Sequence, residues 1–187
     1  MNELTTMTSA EAEEAGISKA TFLRLCESGA LDDGGRLELV EGKIERMAPA
    51  GFEHGRYQID VGALLRAAYA GTPFVAAGDL GAETGSRSVR APDVAVVREN
   101  APRTGWLGGN HILLAVEIAS STLRRDLAEK PAEYAAIGIP HYWVLDLQAR
   151  AIHVMTDPVE GGYASRQVVR FGEPLAVPET DRTITIA

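Results

Sequence analysis

The feature that most constrains this chain is the run ILLAVEIA at residues 112–119, followed directly by SSTLRRDLAEKPAEY. Seven apolar side chains in eight positions predict a buried β-strand. Glu117 interrupts the run, and burying an unpaired carboxylate costs on the order of several kcal/mol. Strand alternation puts Ile112, Leu114, Val116 and Ile118 on one face and Leu113, Ala115, Glu117 and Ala119 on the other. Glu117 thus shares its face with two alanines, which leave room above the sheet. The pattern recurs at 91–97, where Asp93 aligns with Ala95 and Val97. Two carboxylates with small neighbours suit a hard divalent cation such as Mg²⁺, which would also offset the cost of burying them.

The expected layout around this strand is mixed. Residues 9–29 read as a helix stopped by Gly29, with Phe22, Leu23, Leu25 and Cys26 on its apolar side. Residues 36–47 read as a hairpin turning at Glu41-Gly42. Residues 54–71 read as a helix with the stripe Tyr57, Val61, Leu64, Leu65 and Ala68. A short strand is expected in TPFVAAG and another in 86–100, opened by Pro92. After 112–119 a helical stretch runs to about Ile137, closed by Gly138 and Pro140. HYWVLDL, AIHVM, RQVVRF and RTITIA continue as strands. The fold class is therefore α/β of the mixed α+β kind, one twisted sheet with helices packed on it. The 187 residues predict a single domain, 1–187, with 1–35 as an N-terminal helical extension. No dinucleotide or P-loop glycine signature is present.

Composition narrows the function classes. Cys26 is alone, which excludes an intrachain disulfide and argues against a cysteine metal site. The N-terminus is acidic and lacks the layout of a signal peptide, so a cytoplasmic setting is expected. The net charge of −8 argues against a general polyanion binder. Its distribution is uneven: residues 1–60 carry −6, 61–85 carry −1, 86–125 carry +3 and 126–187 carry −4. The one basic block surrounds Glu117, although surface arginines on an acidic protein would give the same pattern. Lysine is scarce, with three against 15 arginines. Lys130 lies on the helix after the Glu117 strand, four residues beyond Asp126. It is either a compact point charge for a phosphate or water, or a surface partner of Asp126. Ser120, Ser121 and Thr122 either cap that helix or contact phosphate. His111, His141 and His153 have no metal-ligand spacing, and Trp143 is expected in the core.

APDVAVV, VEIASST, RDLAEK and AEYAAIGIPHYWVLD, with LELVEGKIERMAPAGFEHG upstream, together resemble the Uma-two family of restriction-endonuclease-like proteins. The resemblance covers about residues 36 to 180, which would form the restriction-endonuclease-like core. It implies the PD-(D/E)XK nuclease fold, in which a Pro-Asp and a later Glu bind Mg²⁺ or Mn²⁺ and a Lys completes the site. Asp93 and Glu117 match the acids, with the backbone carbonyl of Ile118 as a third metal ligand. The usual lysine position holds Ala119, and Lys130 matches a lysine moved to the helix. Glu38 matches an upstream acid and His54 a histidine facing the site. Pro131 after Lys130, and the absence of a proline within IASST, depart from the pattern. The first predicts a kinked helix or a new one starting there. Tyr134, at i+4 from Lys130, would pack over the site.

The function implied is Mg²⁺-dependent hydrolysis of phosphodiester bonds in DNA, by a protein expected to form a homodimer and to avoid membranes. The competing reading is a degenerate nuclease fold that binds nucleic acid or protein without cutting. No GxSxG or HExxH motif supports a serine or zinc hydrolase.

Overall fold

The first helix is set by its cap. A computed structural model describes residues 16–31 and 35–187. Ser18 accepts a hydrogen bond from the Thr21 N–H and opens α1 (Lys19–Glu27), and Gly29 follows the helix at φ 73°. The expected start at residue 9 lies outside the described residues. Phe22 is the buried side chain of α1, while Cys26 is exposed rather than on the packed side. β1 (Leu37–Val40) and β2 (Lys43–Arg46) form the hairpin. Glu41 and Gly42 both take positive φ, as a two-residue hairpin turn requires. α2 (Phe52–Ala68) buries Tyr57, Val61, Leu65 and Ala68. It leads into β3 (Phe74–Gly78) and the two-residue β4 (Ala82–Glu83).

The single strand expected over 86–100 is two. β5 (Val89–Arg90) pairs with β1 and β4, and β6 (Val94–Arg98) pairs with β3 and β7 (Ile112–Ala119). Pro92 lies in the break; without an N–H it cannot donate to a continuing ladder. A short 3₁₀ turn, Gly109–His111, precedes β7. The helical stretch after β7 is also two pieces, α3 (Leu123–Ala128) and α4 (Lys130–Ala136), with Pro131 in the first turn of the second. β8 (His141–Asp146), β9 (Ala151–Val159), β10 (Gly162–Arg170), β11 (Pro174–Ala176) and β12 (Thr183–Thr185) complete the chain.

The expectation of one sheet is corrected to three. The main sheet has six strands in the order β10-β9-β8-β7-β6-β3, antiparallel except for the parallel pair β7–β8. The hairpin belongs to a second sheet, β2-β1-β5-β4, and β11–β12 form a third. The split has a physical cause: the chain turns at Ala91-Pro92-Asp93, so β5 and β6 leave in different layers. α2 covers one face of the main sheet through Val94, Val96, Leu114, Val116, Ile118, Trp143 and Leu145. α4 covers the other through Ala95, Ala115, Ala119, Tyr134, Tyr142 and Val144. Trp143 is core, as expected. Among the described residues no helix is long and apolar enough to cross a membrane.

Candidate active site

β7 is central and covered on both faces, so every one of its residues is buried. Glu117 therefore has to find its partners inside the protein. Its Oε1 lies 2.8 Å from Lys130 Nζ and accepts a hydrogen bond from the Tyr134 hydroxyl at 2.9 Å. Both partners sit on α4, which the β7–β8 crossover lays over the alanine-lined face. The break at Glu129 does not turn Lys130 outward. Its side chain is 2% exposed, with Asp126 Oδ1 at 3.2 Å and Glu38 Oε1 at 3.9 Å. One ammonium thus serves three carboxylates.

Glu38 is fully buried on β1. It accepts hydrogen bonds from Arg90 Nη1 at 3.0 Å and the Ala91 N–H at 3.1 Å. Arg90 also donates Nε and Nη2 to Glu133 on α4, at 2.7 and 2.5 Å. The small sheet and α4 are tied together through this one guanidinium. Asp126 takes a hydrogen bond from Thr122 Oγ1 at 2.5 Å, so Thr122 stands at the helix cap but spends its hydroxyl on a side chain. Tyr142 donates to the Asp126 carbonyl at 2.8 Å.

Asp93 marks the outer part of the site. The β6–β7 ladder ends at the pair Val94↔Val116. Beyond it the Ile118 N–H donates to Asp93 Oδ2 at 2.8 Å instead of to a backbone carbonyl. Arg36 Nη1 donates to Oδ1 at 2.7 Å, and His54 Nε2 lies 3.1 Å from Oδ2. His54 is in the first turn of α2, as its position in the sequence predicts. A cleft of about 560 Å³ opens over Asp93, lined by Arg36, Arg46, Met47–Gly51, His54 and Ser120–Thr122. Arg36 was not among the expected site residues, nor was the Arg90–Glu133 pair; a lone arginine before a strand carries no spacing signal.

The two carboxylates are tuned oppositely. Burial works to raise the Asp93 pKa, but the His54 hydrogen bond, the Arg36 charge and the Ile118 N–H outweigh it and hold it at about 2. Burial dominates at Glu117, where the Asp93 and Asp126 charges add to it and Lys130 only partly opposes them, giving about 8. Burial would lower Lys130, yet Glu117, Glu38 and Asp126 together raise it above the ordinary lysine value. The hydrogen bond to Asp93 raises the His54 pKa against the effect of burial.

Asp93 and Glu117 offer the hard oxygen donors that Mg²⁺ takes, and a dication would offset the burial that chiefly raises the Glu117 pKa. Among the described residues no group of three or more His, Cys, Asp or Glu is placed to hold a metal. Mg²⁺ is commonly held by one or two carboxylates and completed by water and phosphate, so the donors of the pair are of the kind that ion takes.

The profile of the Uma2 family, described as "Putative restriction endonuclease", matches residues 20–187. A solved structure described as "a putative nuclease belonging to DUF820 from Anabaena variabilis ATCC 29413" is similar with a TM-score of 0.65 at 18% identity. The match covers 80% of this chain and 86% of that one. At that identity the likeness shows a shared fold. No curated protein matches the chain.

Proposed function

Because the chain belongs to the Uma2 family, we propose that it is a metal-dependent endonuclease hydrolysing phosphodiester bonds in DNA. The observation that carries this reading is the buried contact of 2.8 Å between Lys130 and Glu117, one residue from the Ile118 N–H that donates to Asp93 in the cleft wall. Asp93 and Glu117 would hold Mg²⁺ or Mn²⁺, with the Ile118 carbonyl beside them. A strand residue's N–H and C=O lie on one edge, and the Ile118 N–H already faces Asp93. When bound, the ion polarises the phosphoryl group and acidifies a water. Arg36 and the hydroxyls of Ser120 and Ser121 position the substrate phosphate in the cleft, while the Thr122 hydroxyl stays on Asp126. Lys130 stabilises charge developing on the phosphoryl oxygens, and Glu38, held by Arg90, keeps the ammonium aimed. His54, its Nε2 3.1 Å from Asp93 Oδ2, orients that carboxylate. The working form is a homodimer, which brings two sites to the two strands of a duplex.

Calorimetry with Mg²⁺ and Mn²⁺, alongside cleavage of plasmid and single-stranded DNA, tests the reading. Asp93→Asn and Glu117→Gln are expected to lose metal binding and cleavage together, and Lys130→Met to keep metal binding but lose cleavage. A wild-type protein that binds neither ion overturns the reading. A second reading is a non-cutting nucleic-acid-binding module. It is favoured by Arg36 and His54, which already hold both oxygens of Asp93. Metal and DNA binding without cleavage would identify it.

A further inference from the structure

α2 buries one side of its length, and its opposite side carries Phe52 and Ile59 at 82% and 74% exposure. With Arg66 they fall at i, i+7 and i+14, a single stripe along the helix. Gly55 and Gly62 flank the stripe inside a helix of 17 residues, where glycine costs about 1 kcal/mol relative to alanine. A Cβ at either position meets nothing within 4 Å, so packing within the protomer does not explain them. Beside this flank lies β3, the edge strand of the six-stranded sheet, whose sequence FVAAG has no charged side chain. Edge strands of folded monomers are normally blunted by charge, proline or a bulge. Ile59, Gly62 and Arg66 of α2, with Ala76, Ala77 and Gly78 of β3, line one groove of about 420 Å³.

We propose that the outer face of α2 and the adjoining edge of β3 dock a second copy of this chain, the two α2 helices running antiparallel. Charge along the helix selects this occupant. Glu53, exposed and accepting from Arg56 at 3.1 Å, lies near its start, and Arg66, exposed with no hydrogen bond or ion pair among the described residues, lies near its end. An antiparallel pair centred on Ile59 sets Phe52 and Glu53 of one protomer beside Arg66 of its partner, twice by symmetry. The glycine flank lets the backbones approach closely. A polyanion is a poorer fit, because Glu53 and Asp60 border the stripe at 63% and 51% side-chain exposure. The helix is about 25 Å long, too short for the roughly 1,200 Å² that a stable interface buries, and the β3 edge supplies the remaining area.

This surface rests on the dimer reading above, and because Asp93 also lines its groove, association is read separately from metal binding and cleavage. Sedimentation velocity of the full chain tests it, with melting curves to confirm folding. The wild type is expected to be dimeric at about 10 µM, and Ile59→Asp and Arg66→Glu to weaken association by about tenfold or more. The charge exchange Glu53→Arg with Arg66→Glu is expected to restore it. Gly55→Ala with Gly62→Ala raises helix propensity, so the expected result is a protomer at least as stable but a weaker dimer. A wild type that stays monomeric at about 100 µM overturns both the surface and the dimer reading. A wild-type dimer that all these variants leave intact overturns the surface alone.

Discussion

Asp93 and Glu117 are two buried carboxylates a strand apart, and their surroundings drive them in opposite directions. Asp93 is held at about 2, below its unfolded value, so it adds stability above about pH 4 that is lost as the pH falls towards 2. The contribution is about 2 kcal/mol, and urea unfolding across the acid range should show the wild type losing that much more than Asp93→Asn. Glu117 has the other sign. Its folded pKa of about 8 exceeds the usual carboxylate value, so the folded state holds a proton that the unfolded state releases. Stability then falls as the pH rises from about 4.5 to about 8, and Glu117→Gln should flatten that fall. Lys130 links them. Lys130→Met strands Glu117, Asp126 and Glu38 without their ammonium and should destabilise by about 3–5 kcal/mol. Adding Glu117→Gln to it should recover part of the loss, measured as a double-mutant cycle.

The elements that aim these side chains are short, and their joints matter more than their lengths. α3 and α4 meet at Glu129, where Pro131 begins the second helix instead of breaking a long one. Proline in a first turn gives up an N–H that has no helical acceptor. Pro131→Ala should therefore change stability by less than about 1 kcal/mol and leave Lys130 in place, since three carboxylates hold it. Gly109 is a tighter joint. A Cβ there would lie 2.0 Å from the Ile137 carbonyl oxygen, at the end of α4. Gly109→Ala should cost about 3 kcal/mol, read from the unfolding midpoint, and loosen the α4 end that carries Tyr134.

Across the whole molecule the charge is −8, and in the cleft Arg36 and Arg46 stand beside Asp79 and Asp93, with Arg125 on α3 near Met47. The acidic remainder limits how much of a polyanion the protein can grip. Nucleic-acid affinity should fall with salt with a slope of log K against log [salt] of about −2 to −3, as two or three phosphate contacts give. A slope near −8 would mean a larger basic surface than the fold presents.

Much of this architecture was legible in local pattern. Strand alternation in ILLAVEIA placed Glu117 on the alanine face, and the structure puts Ala115, Ala119 and Tyr142 on that face and Trp143 and Leu145 on the opposite one, while Ile112 and Leu113 pack on the faces opposite to those expected, next to the register shift at Val96 and Val97. Those are one-strand properties, set by the two-residue pleat. Turn chemistry at Glu41-Gly42 and Gly138 marked real boundaries because backbone conformation there depends on the residue itself. What escaped local pattern depends on chain crossing. The division of 86–100 between two sheets follows from where β5 finds β1, Val89 pairing with Leu39 50 residues away in sequence. Arg36 reaches Asp93, and Arg90 ties Glu38 to Glu133, across gaps with no spacing signature. The sequence by itself determined which side chains carry charge into an apolar setting. Only the tertiary structure decided which charges meet there, because a buried ion pair is fixed by the packing of distant elements and not by the residues beside it.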